Sequence, residues 1–235
     1  RWPLLKEALL KESTPIALEG DNDPPYYMDE ASIIAASYLP VKSDDSLLDM
    51  CAAPGGKSLV LSSRMPKDAT LVCNDRSATR RARLHRVLDN HVEKSTRERI
   101  RVTGHDAAKW GLYEKEVYDA ILLDAPCSSA RHVLHDPSHL AKWSKNRSKM
   151  LSGQQFAMLC SALDAVKIGG YILYSTCSIH SGENEEVIEK LEKKRKGRYS
   201  IESIDSIIGE ELSYGKIILP DKQNNLGPLY VCLLR

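Results

Sequence analysis

Leu47-Leu48-Asp49-Met50-Cys51-Ala52-Ala53-Pro54-Gly55-Gly56-Lys57 reads as a short apolar strand, an acid at its end, and a run of small residues leading into a helix. Strand, small-residue loop and helix in that order open a nucleotide- or nucleoside-binding α/β sheet, because small side chains let the backbone approach a ligand. A P-loop requires glycine five residues before its final Gly-Lys-Ser, and that position is Cys51, so Gly56-Lys57-Ser58 is only a partial match. A dinucleotide loop asks for glycine at 51, 53 and 56, where this chain has Cys, Ala and Gly. A third pattern, acid-x-Gly-x-Gly-x-Gly, is represented by Asp49, Cys51, Ala53 and Gly55. It serves S-adenosylmethionine, which has no pyrophosphate and needs a backbone wall and an acid for its ribose.

Working outward, strand-like runs recur at Ser46–Met50, Thr70–Asn74, Ile100–Gly104, Tyr118–Asp124 and Gly170–Ser175. Helical patterns at Lys57–Arg64, Ala78–Asn90, Ser152–Val166 and Glu183–Lys194 separate or follow them. Such alternation predicts βαβ units and a mostly parallel, Rossmann-like sheet with helices on both faces. Lys216–Leu219 and Leu229–Leu234, joined without a helix, predict a C-terminal antiparallel hairpin at the sheet edge. Acids follow three strands. Asp75, 19 residues after Gly56, is placed to grip ribose hydroxyls, and Asp106 to accept from an adenine amine. Each acid alone would equally suit a helix cap.

Residues 1–30 stand outside the alternation and read as an N-terminal extension, the remnant of a longer chain beginning Arg1-Trp2-Pro3-Leu4. Within it Arg1–Lys11 reads as a helix and Gly20–Pro25 as a turn-rich connector. Residues 31–235 read as one domain, with Ala31–Tyr38 a helix beside the first strand. No apolar run approaches the ~20 residues of a membrane span. The six cysteines contain no Cys-x-x-Cys pair, which argues against structural zinc, and a mid-sized domain argues against a disulfide framework. Cys73, Cys160 and Cys232 read as buried small hydrophobes.

Two further segments carry chemistry. Asp124-Ala125-Pro126-Cys127 and Ser175-Thr176-Cys177-Ser178 each set a cysteine just past a strand, at the lip where α/β sheets bind ligands. Net charge is +1 over the chain, but Arg131 to Lys149 holds five Lys/Arg and three His against one Asp. That patch suits phosphates, and Arg131, Lys142, Lys145, Arg147 and Lys149 are its candidate RNA contacts. A second basic run, Arg76 to Arg101, fits either phosphates or a solvated helix face.

Together these motifs resemble the NOL1/NOP2/Sun (RsmB-like) RNA 5-methylcytosine methyltransferases. Asp49 to Lys57, Asp124-Ala125-Pro126-Cys127-Ser128 and Ser175-Thr176-Cys177-Ser178 match in order, flanked by Tyr27-Met28-Asp29-Glu30-Ala31-Ser32 and Glu183-Asn184-Glu185. The tail Leu226-Gly227-Pro228-Leu229-Tyr230-Val231-Cys232 and Asp106-Ala107-Ala108-Lys109-Trp110-Gly111 look like the branch holding the mitochondrial small-subunit rRNA methyltransferase, with Ala107 where Gly is frequent. The resemblance implies a class I methyltransferase fold and S-adenosylmethionine held by Cys51 to Lys57, Asp75, Arg80, Asp106, Ala107 and Asp124. It implies that Cys177 adds to cytosine carbon 6, making the ring nucleophilic at carbon 5, and that Cys127 assists proton removal and release. Asp124 would hydrogen-bond the cytosine edge. Lys57 would bridge cofactor loop and active site, or merely solvate a helix end.

The implied partner is RNA, ribosomal first and transfer RNA second. No membrane is implied, the chain is expected to be monomeric, and a protein partner or absent residues would add RNA affinity. The implied compartment is a bacterial cytoplasm or a mitochondrial matrix. DNA cytosine methyltransferases use the Pro-Cys cysteine as nucleophile, so on that pattern Cys127 would attack. A silent RNA-binding scaffold is the non-enzyme alternative.

Overall fold

The structure is a computed structural model that describes residues 1–18, 24–141 and 144–235. Its N-terminal stretch forms helix α1 (Trp2–Leu10), a two-stranded antiparallel ribbon of β1 (Ile16–Ala17) with β2 (Tyr27–Met28), and helix α2 (Glu30–Ser37). Leu5 and Leu9 of α1 join the main hydrophobic core, so the segment is packed on the body of the protein. The Asp29 carboxylate accepts from Ser32 N–H at 3.2 Å and starts α2 as an N-cap. Most of the expected connector, Gly20 to Asp23, lies outside the described residues.

The alternation predicted from the sequence follows. It runs β3 (Ser46–Asp49), α3 (Gly56–Arg64), β4 (Thr70–Asn74), α4 (Ala78–His91), the short α5 (Lys94–Arg97) and β5 (Ile100–Thr103). A 3-10 turn (Ala107–Leu112), β6 (Tyr118–Asp124), two short helices α6 (Ala130–His135) and α7 (Pro137–Ala141), and the long α8 (Lys145–Ala165) come next. The chain ends with β7 (Val166–Thr176), α9 (Glu185–Arg195), two-residue strands β8 (Ile201–Glu202) and β9 (Glu210–Glu211), β10 (Lys216–Ile218) and β11 (Leu229–Leu234).

Strands order as β5-β4-β3-β6-β7-β11-β10-β9, with the first five parallel. β11 runs antiparallel to both β7 and β10. The hairpin is therefore present, but its later strand inserts beside β7, and β10 and β9 lie outside it. Strand order reverses at β3, between β4 and β6, which makes the carboxyl ends of β3 and β6 the topological switch point. Asp49 and Asp124 end those two strands.

Side chains alternate across the sheet, as a two-residue period requires. Leu48, Met50, Ile121, Leu123, Ile172 and Tyr174 face a core shared with Leu159 and Ala162 of α8 and Ile188 of α9. Leu47, Leu71, Cys73, Ala120, Leu122 and Leu173 face the other, with Ala35 of α2, Leu61 of α3 and Leu84 of α4. Each fully buried leucine contributes about 1.5–3 kcal/mol relative to leaving it exposed. Two expectations shift. β7 begins four residues before Gly170, and α8 begins seven before Ser152, capped by the Ser144 hydroxyl. The described part of the basic segment after Cys127 is thus helical along much of its length.

Candidate active site

Small residues build the loop after β3. Gly55 sits at φ +122°, and an added Cβ would lie 2.9 Å from Val87 Cγ1, so both backbone and space demand glycine. At Gly56 the clearance to Met28 Cε is 3.1 Å. A cavity of about 180 Å³ opens here, lined by Asp49, Cys51, Ala52, Ala53, Pro54, Gly56, Lys57 and Asp124 from the expected set. Tyr26, Met28 and Ser32 complete the lining and were not expected there. They come from the segment before the alternation, where no periodicity pointed inward.

Asp49 is buried, and its Oδ2 accepts from Ser58 Oγ at 2.7 Å while Oδ1 has no partner. Burial pushes its carboxyl up to about 7, with the Asp124 charge adding and the Ser58 bond opposing. Burial likewise raises the Cys51 thiol, which lines the small cavity. Asp75 is also buried. Its Oδ1 accepts from Ser77 N–H at 2.9 Å, and Oδ2 lies 3.1 Å from Arg80 Nη1 without hydrogen-bond geometry. Arg80 also donates to Ala53 O, tying the loop after β3 to the end of β4. Asp106 caps the 3-10 turn through Ala108 N–H at 3.1 Å, and Ala107 is buried behind it. Gly55, Asp75, Arg80, Asp106 and Ala107 lie outside the small cavity's lining.

Lys57 and Asp124 stand between this cavity and the cysteines. Lys57 Nζ donates to Asp124 Oδ2 at 2.8 Å and reaches Ser32 Oγ at 3.4 Å. Asp124 Oδ1 accepts from Ser175 Oγ at 2.8 Å, so both carboxylate oxygens are engaged. Burial works to lower the Lys57 ammonium, but the Asp124 charge and hydrogen bond, with Cys177 and Asp49, outweigh it and raise it. Lys57 is therefore a half-buried, paired cation and not a solvated helix end.

The register that sets Asp124 beside Ser175 brings the two cysteine loops together. Cys127 Sγ and Cys177 Sγ are 2.9 Å apart, and Cys177 N–H donates to Cys127 Sγ at 3.3 Å. Ser129 Oγ lies 3.2 Å from Cys177 Sγ and 3.8 Å from Cys127 Sγ. The Cys127 hydrogen bond lowers the Cys177 thiol, and Ser129 and Lys57 reinforce it against burial and Asp124. Cys127 is raised, first by its bond to Cys177 and then by burial. Of the two thiols, Cys177 is the one whose surroundings favour the thiolate. A second cavity, of about 480 Å³, opens onto Cys177, Ser129, Arg131, His132, Asp29 and Ser32. Ser32 lines both cavities.

Glu183 and Asn184 hold the two loops in place. The fully buried Glu183 carboxylate accepts from Ser128 N–H at 2.8 Å, Ser148 Oγ at 2.7 Å and Gln155 Nε2 at 3.2 Å. Gln155 also donates to Pro126 O at 2.9 Å. Asn184 Oδ1 accepts from Thr176 Oγ1 at 2.6 Å, and its Nδ2 donates to Ser178 O at 2.9 Å. One dipeptide thus fastens both flanks of the thiol pair. In the sequence it stands out only as a motif match at the start of a helical pattern, with nothing local to show this role.

Of the basic candidates, Arg131 turns inward. Its Nη2 donates to Asn225 Oδ1 at 2.8 Å and Asn225 O at 3.2 Å, and reaches Ala8 O at 3.4 Å. Arg147 and Lys149 are exposed on the first turns of α8. Lys142 lies outside the described residues, and Lys145 is described only as the first residue of α8.

A parallel sheet ordered β5-β4-β3-β6-β7 with antiparallel β11 beside β7, and a small-residue loop at its switch point, define a Rossmann-like methyltransferase fold. The family model for 16S rRNA methyltransferase RsmB/F matches residues 36–235, and the chain belongs to this family, whose members use S-adenosylmethionine. It is 35% identical to the 5-cytosine rRNA methyltransferase NSUN4 of Bos taurus, covering 88% of this chain and 58% of that protein. It is 34% identical to the mitochondrial tRNA (cytosine(34)-C(5))-methyltransferase of Danio rerio, covering 89% and 60%. NSun6 from Pyrococcus horikoshii, solved with SFG, superposes with a TM-score of 0.76 at 25% identity, covering 90% of this chain and 53% of that one. The chain thus spans about three-fifths of the two curated relatives' length.

Proposed function

We propose that residues 31–235 form an S-adenosylmethionine-dependent RNA methyltransferase domain that makes 5-methylcytosine, with residues 1–30 as an extension packed upon it. The 2.9 Å thiol pair, with its thiolate assigned to Cys177, carries this reading. Two buried carboxylate oxygens lack a hydrogen bond, Asp49 Oδ1 and Asp75 Oδ2, the latter ion-paired with Arg80, and both fit the amine and hydroxyl donors of the cofactor. Asp75 would take the ribose, Asp106 and Ala107 the adenine side, and Cys51 to Gly56 the methionine side, with Arg80 holding the loop. When bound, the cofactor supplies an electrophilic methyl group.

Cytosine carbon 5 is too electron-poor to attack unaided. Cys177 adds to carbon 6 and pushes electron density to carbon 5. After methylation the carbon 5 proton leaves, the carbon 6–sulfur bond breaks, and its electron pair returns to Cys177, with Cys127 assisting. Lys57 pairs with Asp124 and orients it, so that the pair presents a fixed dipole to the base edge where charge develops. A target inside a duplex must be flipped or already unpaired to reach the half-buried thiol pair.

Ribosomal RNA is the proposed substrate, in line with the family and the NSUN4 relative. The transfer RNA relative supports the second reading at nearly equal identity. Exposed Arg147 and Lys149, with Lys142 and Lys145, are the proposed RNA contacts, and Arg131 is reassigned to bracing the cavity wall. All six cysteines are free, which suits a reducing compartment, a bacterial cytoplasm or a mitochondrial matrix. We take the chain as a monomer whose RNA affinity a partner protein supplements.

The direct test is transfer of labelled methyl to cellular RNA. Label that RNase releases and DNase does not supports the reading. DNase-sensitive label, or none with intact cofactor binding, refutes it. Asp75→Ala should weaken cofactor binding by roughly ten- to a hundredfold, the worth of about 1.5–3 kcal/mol for a charge-assisted hydrogen bond. Calorimetry with S-adenosylhomocysteine reads this directly, and unchanged affinity removes Asp75 from the site.

A further inference from the structure

The short helices after Cys127 carry a side-chain cluster that the methyl-transfer chemistry does not use. His132, Asp136 and His139 each offer one ligand atom, and these atoms lie within 4.8 Å of one another. α6 ends at His135 and α7 restarts at Pro137, whose missing N–H cannot continue the ladder. The resulting turn brings the His139 ring against that of His132, with centroids 4.5 Å apart and planes 59° from parallel. His139 Nδ1 is 2.7 Å from Asp136 Oδ2.

A hydrogen-bonded His–Asp pair alone explains Asp136 and His139. It does not explain why a second imidazole is held against the first on an exposed surface, where two protonated rings would repel each other. Two neutral imidazoles and a carboxylate are a donor set for zinc and its transition-metal neighbours. Magnesium and calcium prefer oxygen donors throughout.

We propose that His132, Asp136 and His139 form a binding site for a divalent transition metal, zinc by its chemistry, at the rim of the cavity that opens onto Cys177. His132 lines that cavity, so the ion sits where an incoming substrate passes. Three protein donors leave the remaining positions to water. The site is shallow, with His139 and Asp136 side chains 39% and 35% exposed, so its affinity belongs to the micromolar range and not to that of structural zinc. It stands independently of the methyl-transfer reading.

Zinc chloride is titrated by calorimetry at neutral pH into metal-free full chain carrying Cys127→Ser and Cys177→Ser, so that the paired thiols do not compete. One zinc per chain is expected, weakened about tenfold or more by either His132→Ala or His139→Ala. His135→Gln should leave it unchanged, since the His135 ring nitrogen Nε2 is engaged with Leu9 O at 2.9 Å. Cobalt(II) in place of zinc should give ligand-field bands without sulfur charge transfer. Equal affinity in the His132 and His139 variants, sulfur charge transfer, or no saturation at micromolar zinc overturns the proposal. Melting curves of the variants separate lost ligands from lost fold.

Discussion

Incubated with cellular RNA and S-adenosylmethionine, the Cys127→Ala variant is expected to run on a denaturing gel as a protein–RNA adduct, and Cys177→Ala as free protein. The asymmetry follows from the environment of each sulfur. Cys177 lies within hydrogen-bonding reach of Cys127 and Ser129 and feels the Lys57 cation, and these lower its thiol. Cys127 has Ser129 farther away and is raised by its neighbour, which suits a proton-handling group and not a nucleophile. Removing Cys127 leaves the attacking sulfur in place and slows elimination, so the adduct accumulates.

A pH dependence accompanies it. Cys127 is the largest single influence lowering Cys177, so its loss raises the Cys177 thiol. Adduct formation in Cys127→Ala should therefore need higher pH than first-turnover attack in the unaltered chain, with Ser129 and Lys57 retaining part of the effect. An adduct in Cys177→Ala and none in Cys127→Ala would make Cys127 the nucleophile, the arrangement of the DNA enzymes. No adduct from either, with labelled methyl still transferred, would exclude the covalent route.

Much of the fold was legible because its strands are short apolar runs bounded by acids and small residues. Leu47-Leu48 before Asp49 and Ile121 to Leu123 before Asp124 mark both strand and exit. Period and punctuation agree there, so both strand exits could be read directly, while the order of the strands came only from the structure. The start of α8 was not legible. Lys145 to Lys149 has no apolar periodicity, and its helicity comes from the Ser144 cap and from Ser148 bonding to Glu183, 35 residues on. The candidate site divides the same way. Cys127, Cys177 and Asp124 declared themselves by chemistry and position. Ser32, Ser129 and Asn184 did not, because a polar side chain aimed at a partner far along the chain leaves no local pattern. Arg131 shows the converse: charge composition sees a basic patch, and only packing reveals that its guanidinium braces Ala8 and Asn225.

Glu183→Ala should lower methyl transfer by about a hundredfold, the loss that roughly 1 Å of misplacement produces, with cofactor affinity unchanged. Ser128 N–H, the Ser148 hydroxyl and the Gln155 amide all converge on this carboxylate, and two of those donors hold the backbone on either side of Cys127. Each donor left unpaired in the interior costs about 1–3 kcal/mol, so part of the loss will appear as a lower melting temperature. A purely structural role would stop there. Glu183→Gln separates the two effects: its size is the same, but it keeps one acceptor oxygen and replaces the other with an N–H pair facing Ser128 N–H or Ser148. It should recover most of the melting temperature while the step that eliminates Cys177 stays slow, because Cys127 is then held less firmly against Cys177. Burst kinetics with labelled methyl read that split, a preserved first turnover over a slowed steady state. Equal recovery of stability and of steady-state rate in Glu183→Gln would reduce Glu183 to a core anchor with no part in positioning the thiol pair.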